Sequence, residues 1–228
     1  MRAMVVYESM YGNTRKVAHA LAAGLARYMS VDLVEVASAP ATLPIDIDLL
    51  LVGGPTHRFG LSRVGSRSDA VAWARNDGKG RKSGKDGRDA QSEPDGRAGR
   101  AEETSHQVAP ATRFGLRDWM KGNPSRQRRV PSVAFGTQLD RPRWLARFGT
   151  AANAIEHCLL RMGMPLAAPA QQFYVNGISG PLLSGEEERA TAWAASLAAE
   201  ITGRSSEVLQ RLAREHEKVL ATQRADRN

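Results

Sequence analysis

The sequence predicts an α/β fold in which helices cover both faces of a parallel, doubly wound sheet of five strands. Short apolar runs alternate along the chain with segments of helical periodicity, and this alternation is typical of such a sheet. The chain has 228 residues and 42% hydrophobic side chains, which is enough to bury an apolar layer on each face of the sheet.

The five predicted strands lie at residues 2–8, 31–36, 47–52, 130–135 and 171–175. The first and third are almost wholly apolar, as strands covered on both faces are. The second alternates apolar and polar residues, which indicates a half-buried strand. The third runs into Gly53-Gly54-Pro55 and the fourth into Gly136-Thr137-Gln138, so we expect a turn after each.

The predicted helices lie at residues 13–28, 68–75, 114–121, 150–162 and 184–201. The helix at 150–162 carries Ala154, Cys158 and Met162 at a spacing of four, so these side chains share one face. Cys158 is therefore predicted to be a buried structural thiol. Residues 203–228 form a tail with a weakly amphipathic helical pattern over 205–223, which would dock on the body or serve self-association.

One segment, residues 76–107, interrupts this pattern. It contains no side chain more apolar than alanine, and it holds six glycines, seven basic residues and seven acidic residues. Such a segment cannot bury enough apolar surface to offset the entropy lost on ordering. We expect a disordered insertion within one domain that spans residues 1–202.

Several classes of protein are excluded by composition. No run approaches the ~20 apolar residues that span a membrane, and no secretory signal pattern opens the chain. The single cysteine cannot form an internal disulfide, so we expect a cytoplasmic protein. No aromatic residue accompanies the arginines between Lys121 and Val130, which argues against nucleic-acid binding, and no metal-ligand spacing occurs.

The net charge of +8 is concentrated in two segments. Residues 58–75 hold four basic residues and one acidic residue, and residues 108–150 hold nine and two. Both segments adjoin strand ends where ligands of parallel sheets bind. We therefore predict a basic rim that attracts an acidic partner protein or an anion, such as the phosphates of a nicotinamide cofactor.

The most specific motif joins the first strand to the first helix. Residues 5–14 read Val-Val-Tyr-Glu-Ser-Met-Tyr-Gly-Asn-Thr. Hydroxyl and amide groups supply donors, Gly12 permits close approach of the backbone, and the helix directs its free N–H groups and positive dipole end to the same place. We expect a phosphate there. The loop is neither a Walker A loop nor a Gly-x-Gly-x-x-Gly turn.

This loop resembles the phosphate loop of the flavodoxin family, Ser/Thr-x-x-Gly-x-Thr. Two further stretches, Gly-Gly-Pro-Thr-His-Arg-Phe-Gly after the third strand and Phe-Gly-Thr-Gln after the fourth, fall in the order and spacing of the other two FMN loops of that family. The resemblance covers roughly residues 1–66 and 112–202. It implies a flavodoxin-like fold with strand order 2-1-3-4-5, FMN held without covalent bonds, and one-electron transfer as the usual role.

The resemblance also implies which residues bind FMN. The phosphate would be held by Ser9, Met10, Tyr11, Gly12, Asn13 and Thr14. The flavin ring would be flanked by Pro55, Thr56, His57, Arg58, Phe59 and Gly60, with Gly60 near the flavin N5. The pyrimidine side of the ring would meet Gly136, Thr137, Gln138 and Leu139. The ring-flanking tryptophan and tyrosine of many flavodoxins are not plainly present, and His57, Phe59 and Trp144 are the candidates to replace them.

We expect an FMN-binding electron-transfer protein, with no side chain needed as an acid or base. Two alternatives stay open. The basic rim would also suit an FMN-dependent NAD(P)H:quinone or nitro reductase. A flavin-free binding or regulatory scaffold is the third hypothesis, because a fold alone does not settle function.

Overall fold

The structure, a computed structural model, describes residues 1–56, 115–122, 129–140, 149–177 and 179–225; at 208, 209 and 211–225 it describes the backbone alone. Four of the predicted FMN-binding residues, His57 to Gly60, lie outside these ranges. So do the predicted helix at 68–75, the predicted insertion at 76–107, and Trp144.

Over the described ranges, five strands form one parallel sheet: β1 (Arg2–Tyr7), β2 (Ser30–Glu35), β3 (Leu49–Pro55), β4 (Ser132–Leu139) and β5 (Gln171–Val175). Their order is β2-β1-β3-β4-β5, which confirms the prediction. The strand order reverses between β1 and β3. The carboxyl ends of these two strands therefore border a crevice at that edge of the sheet.

Helices cover both faces of this sheet. The helices α1 (Asn13–Leu25) and α4 (Glu186–Ala225) pack on one face, and α2 (Leu116–Gly122) and α3 (Ala151–Arg161) pack on the other. Successive residues of β1 enter opposite cores: Val5 joins the α1 side, and Met4 and Val6 join the α2 side. This alternation follows from the two-residue period of a strand, and it confirms the predicted doubly wound fold.

Two strands extend further than predicted. β3 includes Gly53-Gly54-Pro55, and β4 includes Gly136 to Leu139, so the third predicted FMN loop is in fact the end of a strand. These turn-type residues stay extended because parallel pairing continues between the strand ends, with Pro55 opposite Thr137. Packing also requires a glycine at position 53, because a Cβ there would lie 2.2 Å from the ring of Phe135.

The helix α4 is continuous where the sequence suggested two helices. It contains Gly203, and a single glycine costs only about 1 kcal/mol relative to alanine, which is too little to end a helix that is stable on either side. Near its start, α4 lies very close to α1: a Cβ on Gly24 would be 2.3 Å from the carbonyl oxygen of Thr191. No helix in the described part of the chain has the length and apolarity needed to cross a membrane.

Glu8 connects the end of β1 to two other elements. Its backbone N–H donates to the Gly53 carbonyl at 2.9 Å, and its Oε2 accepts from the N–H of Leu116, the first residue of α2, also at 2.9 Å. The residue is only 6% exposed. Glu8 therefore joins the ends of β1 and β3 to the start of α2.

Candidate functional site

A cleft with a volume of about 90 Å³ opens at the carboxyl ends of β1, β3, β4 and β5. A single water needs roughly 10–15 Å³ of such space, so the cleft can take a group of phosphate size. It is lined by Ser9, Met10, Tyr11, Asn13, Thr14, Pro55, Thr56, Thr137, Gln138, Leu139, Val175 and Gly177. None of these described lining residues carries a charge. Ten of them were predicted to bind FMN.

The N-terminus of α1 supplies backbone donors to this cleft. Gly12, the cap residue, has φ +83°, and no atom lies within 4 Å of where its Cβ would be. The first intrahelical bond runs from the N–H of Lys16 to the Gly12 carbonyl, and Ser9 Oγ accepts from the N–H of Arg15. Within the described residues, the N–H groups of Asn13 and Thr14 have no partner, as the geometry of a helix start requires.

Hydroxyl groups connect the helix starts to the ends of β3 and β4. Thr14 Oγ1 and Thr137 Oγ1 are 2.8 Å apart, and their residues are 1% and 5% exposed. Only one of the two hydroxyl hydrogens can serve their mutual bond, so the other can be donated to an acceptor in the cleft. Thr56 Oγ1 accepts from the N–H of Ala151, the first residue of α3, at 3.1 Å.

The side chain of Asn13 contacts the loop between β5 and α4. Its Nδ2 donates to the Ser179 carbonyl at 2.9 Å. Gly180, next in the chain, has φ +103°, and a Cβ there would lie 2.4 Å from the same Nδ2. The amide of Asn13 therefore holds the loop between β5 and α4, while its backbone N–H faces no partner within the described residues.

That loop is a part of the site that the sequence analysis missed. Val175, the last residue of β5, and Gly177 both line the cleft. The signal was available, because β5 is parallel to the other strands and its carboxyl end must reach the same edge. Two predicted site residues, Gly12 and Gly136, are not among the described residues that line the cleft. Gly136 packs against Ala152 and Gly54.

The described site provides binding groups without an obvious acid or base. Burial raises the pKa of the Tyr7 phenol, and Glu35 raises it further while Arg15 lowers it, so Tyr7 stays neutral at physiological pH. Within the described ranges, no three His, Cys, Asp or Glu side chains come together as a metal site would require. The arrangement can bind an anion through the helix dipole and the hydroxyl groups.

Comparisons with known proteins identify the family of this chain. The flavodoxin family model matches residues 5–169. Oxidised flavodoxin 2 from Bacillus cereus is 13% identical, with a TM-score of 0.50 over 88% of this chain and 99% of its own. A flavodoxin from the domain Archaea is 14% identical, with a TM-score of 0.48 over 89% and 99%.

Rubredoxin oxygen:oxidoreductase from the anaerobe Desulfovibrio gigas is a longer chain. It is 14% identical, with a TM-score of 0.49, and the match covers 89% of this chain but 36% of that one. No curated protein sequence matches the chain.

The family match begins in β1 and ends just before β5, so it includes all three predicted FMN loops. FMN is the cofactor of this family. The match extends over well more than half of the 228 residues. The chain therefore belongs to the flavodoxin family.

Proposed function

We propose that this protein binds FMN in the cleft at the carboxyl end of its sheet and passes single electrons between redox partner proteins. The observation that carries the proposal is the start of α1. The N–H groups of Asn13 and Thr14 have no partner within the described residues, and both residues line the cleft. A phosphate is the ligand that a helix N-terminus of this kind favours.

The described residues fit the phosphate end of FMN. The dipole of α1 attracts negative charge, which is worth about 0.3–1 kcal/mol in exposed sites and up to ~2 kcal/mol when partly buried. Ser9 and Thr14 add hydroxyl groups at the same end of the cleft. Because no lysine or arginine is among the described lining residues, neutral donors would hold the phosphate.

The described residues also suit the ring end of FMN. Gln138 has an amide that can both donate and accept, as the pyrimidine edge of a flavin requires. Pro55 and Leu139 supply apolar surface, and Leu139 is 38% exposed. When bound, FMN supplies the redox chemistry, and the protein has to bind and orient it. The roles of His57 to Gly60 and Gly136 stay predictions.

The partners of the protein also stay predictions. Much of the basic rim, including Arg58, Arg141 and Arg143, lies outside the described residues. An acidic redox partner protein and a nicotinamide cofactor are therefore both compatible with the charge in the sequence. The cytoplasmic location is likewise a prediction.

The binding proposal is tested by comparing FMN with riboflavin, which lacks the phosphate. We expect the full-length protein to quench flavin fluorescence and to prefer FMN. Ser9→Asp places a carboxylate at the phosphate end and should weaken FMN binding about tenfold or more, equivalent to ~1.4 kcal/mol, with riboflavin binding unchanged.

Ser184→Asp, just before α4, is the matched control and should leave both affinities unchanged. A colourless protein that does not respond to added FMN would refute the proposal and leave the flavin-free scaffold.

A second experiment separates an electron carrier from a reductase. The FMN-loaded protein is mixed with NADPH and a quinone, and NADPH absorbance is followed. A carrier should show no sustained NADPH oxidation, and its reductive titration should resolve two one-electron steps. Sustained oxidation that depends on the quinone would favour the reductase.

A further inference from the structure

We propose that a second cleft, between α2 and α3, binds a small organic anion that has an apolar body. This cleft has a volume of about 280 Å³ and is lined by Arg117, Met120, Lys121, Cys158, Arg161 and Met162. It shares no lining residue with the FMN cleft. Its volume is close to the lower end of the roughly 300–1,000 Å³ typical of small-molecule pockets.

The cleft follows from matching patterns on two helices. Each helix contributes residues at i, i+3 and i+4, which share one face: Arg117, Met120 and Lys121 from α2, and Cys158, Arg161 and Met162 from α3 and its cap. The two methionines are buried, at 4% and 8% exposure. Their flexible thioethers provide an apolar floor that adapts to differently shaped ligands.

Three cations surround this floor. Over the described ranges, no ion pair joins Arg117, Lys121 or Arg161 to a carboxylate. No carboxylate is among the described residues that line the cleft. The cleft therefore has an excess of positive charge.

Arg117 points most directly to a ligand. Lys121 and Arg161 lie in the last turns of their helices, where the dipole favours cations, so their positions need no ligand. Arg117 is the second residue of α2, where the dipole opposes a cation. Its Nε is also buried without an acceptor, and an unpaired buried donor is unfavourable. An anion in the cleft would pair with this guanidinium.

The chemistry of the lining determines the class of ligand. A guanidinium binds carboxylate or phosphate oxygens in a forked arrangement, so the head group is one of these two. Met120 and Met162 would contact an apolar body attached to that head. The volume suits a compound of a few carbon atoms beyond the head, and it is too small for a folded partner.

Cys158 provides a reporter for this site. It is the only cysteine in the chain, and it lines the cleft with Arg161 Nη2 at 3.4 Å from its Sγ. The side chain is partly exposed, which corrects the predicted buried thiol. A ligand in the cleft should shield it from a neutral alkylating reagent.

The experiment measures alkylation of Cys158 by iodoacetamide, by mass spectrometry, in the FMN-loaded full-length protein. Hexyl phosphate or octanoate at saturation should slow the reaction about fivefold or more. Inorganic phosphate and hexanol, which each offer one half of the ligand, should protect only at concentrations about tenfold higher, equivalent to ~1.4 kcal/mol. The flavin absorbance should not change, because the two clefts are separate.

Substitutions test whether the cationic side chains bind the head group of the ligand. Arg117→Met keeps the apolar stem and should raise the half-protecting concentration of both amphiphiles about tenfold or more. Arg161→Gln, at an exposed position, tests the same point if Arg117→Met does not fold. Arg204→Gln, in α4, is the control and should bind as the wild type does.

Failure of both amphiphiles to protect Cys158 would overturn the proposal. Equal protection by hexanol would eliminate the anion, and equal protection by inorganic phosphate would eliminate the apolar body. Unchanged protection in Arg117→Met and Arg161→Gln would show that the cations do not form the site.

Discussion

The hydroxyl oxygens of Thr14 and Thr137 lie 2.8 Å apart although 123 residues separate them in the chain. Thr14 is in the first turn of α1, and Thr137 is near the end of β4. Their bond joins the part of the cleft proposed for the phosphate to the part proposed for the pyrimidine edge. The distance between these two parts is therefore set by the fold itself.

This pair should behave as a unit in a double-mutant cycle. Thr14→Val and Thr137→Val each leave a buried hydroxyl unpaired, and each should lower the free energy of unfolding by ~1–3 kcal/mol. The double variant should lose less than the sum, with a coupling of ~0.5–3 kcal/mol. Urea unfolding measures all three. Ser196→Ala removes an exposed hydroxyl and should be near neutral; strictly additive losses would contradict the pairing.

Gly12 should matter to FMN binding beyond its effect on stability. Gly12 and Gly185 precede helices with φ of +83° and +85°, and both have open space where a Cβ would go. An alanine at either position should therefore cost a similar ~1–2 kcal/mol of backbone strain. Gly12→Ala alone should also weaken FMN binding, measured by fluorescence quenching. Equal FMN affinity in the two variants would show that Gly12 does not contribute to phosphate binding.

Gly53 should tolerate alanine only if Phe135 becomes smaller. A Cβ at position 53 would lie 2.2 Å from the Phe135 ring, so Gly53→Ala should destabilise the fold strongly. Phe135→Leu alone should cost about 1 kcal/mol or more through lost packing. In the double variant, Phe135→Leu should restore part of the stability lost in Gly53→Ala. Thermal unfolding tests this, and a double variant less stable than Gly53→Ala would contradict it.

Tyr7 should contribute to loss of stability at alkaline pH. Its pKa is raised in the folded protein, mainly by burial. Above about pH 10 an unfolded tyrosine ionises while the buried one stays neutral. Ionisation therefore lowers the free energy of the unfolded state but not that of the folded state. The contribution is fully present below that pH and is lost as pH rises through the folded pKa. Tyr7→Phe should therefore lose less stability than wild type between pH 8 and pH 11 in urea titrations; identical losses would refute this.

The sheet was largely predictable because its strands are strongly patterned. An apolar run such as residues 47–52 has few alternatives to a central strand. The order of the strands followed from the resemblance of the first loop to the phosphate loop of the flavodoxin family. The ends of β3 and β4 were not predictable in this way. Gly53 and Pro55 are turn residues by local preference, and only the pairing with β4 and the ring of Phe135 keep them extended.

The candidate site was predicted in its residues better than in its contacts. The loop after β1 was identified, because donors and glycine at a helix start have a direct physical meaning. The amide of Asn13, however, is used by Ser179, a residue far along the chain that local pattern could not place beside it. Similarly, the exposure of Cys158 depends on the spacing of α2 from α3, which helical periodicity does not specify.

The two contacts of Glu8 have a consequence for how this chain could vary. Through Gly53 and Leu116, Glu8 joins the end of β3 to the start of α2. These two contacts lie just outside residues 57–114, so a change in the length of that segment need not disturb either of them. For a flexible insert, each doubling of length adds only ~0.6 kcal/mol of closure entropy, so longer and shorter versions of this segment should be compatible with the same sheet.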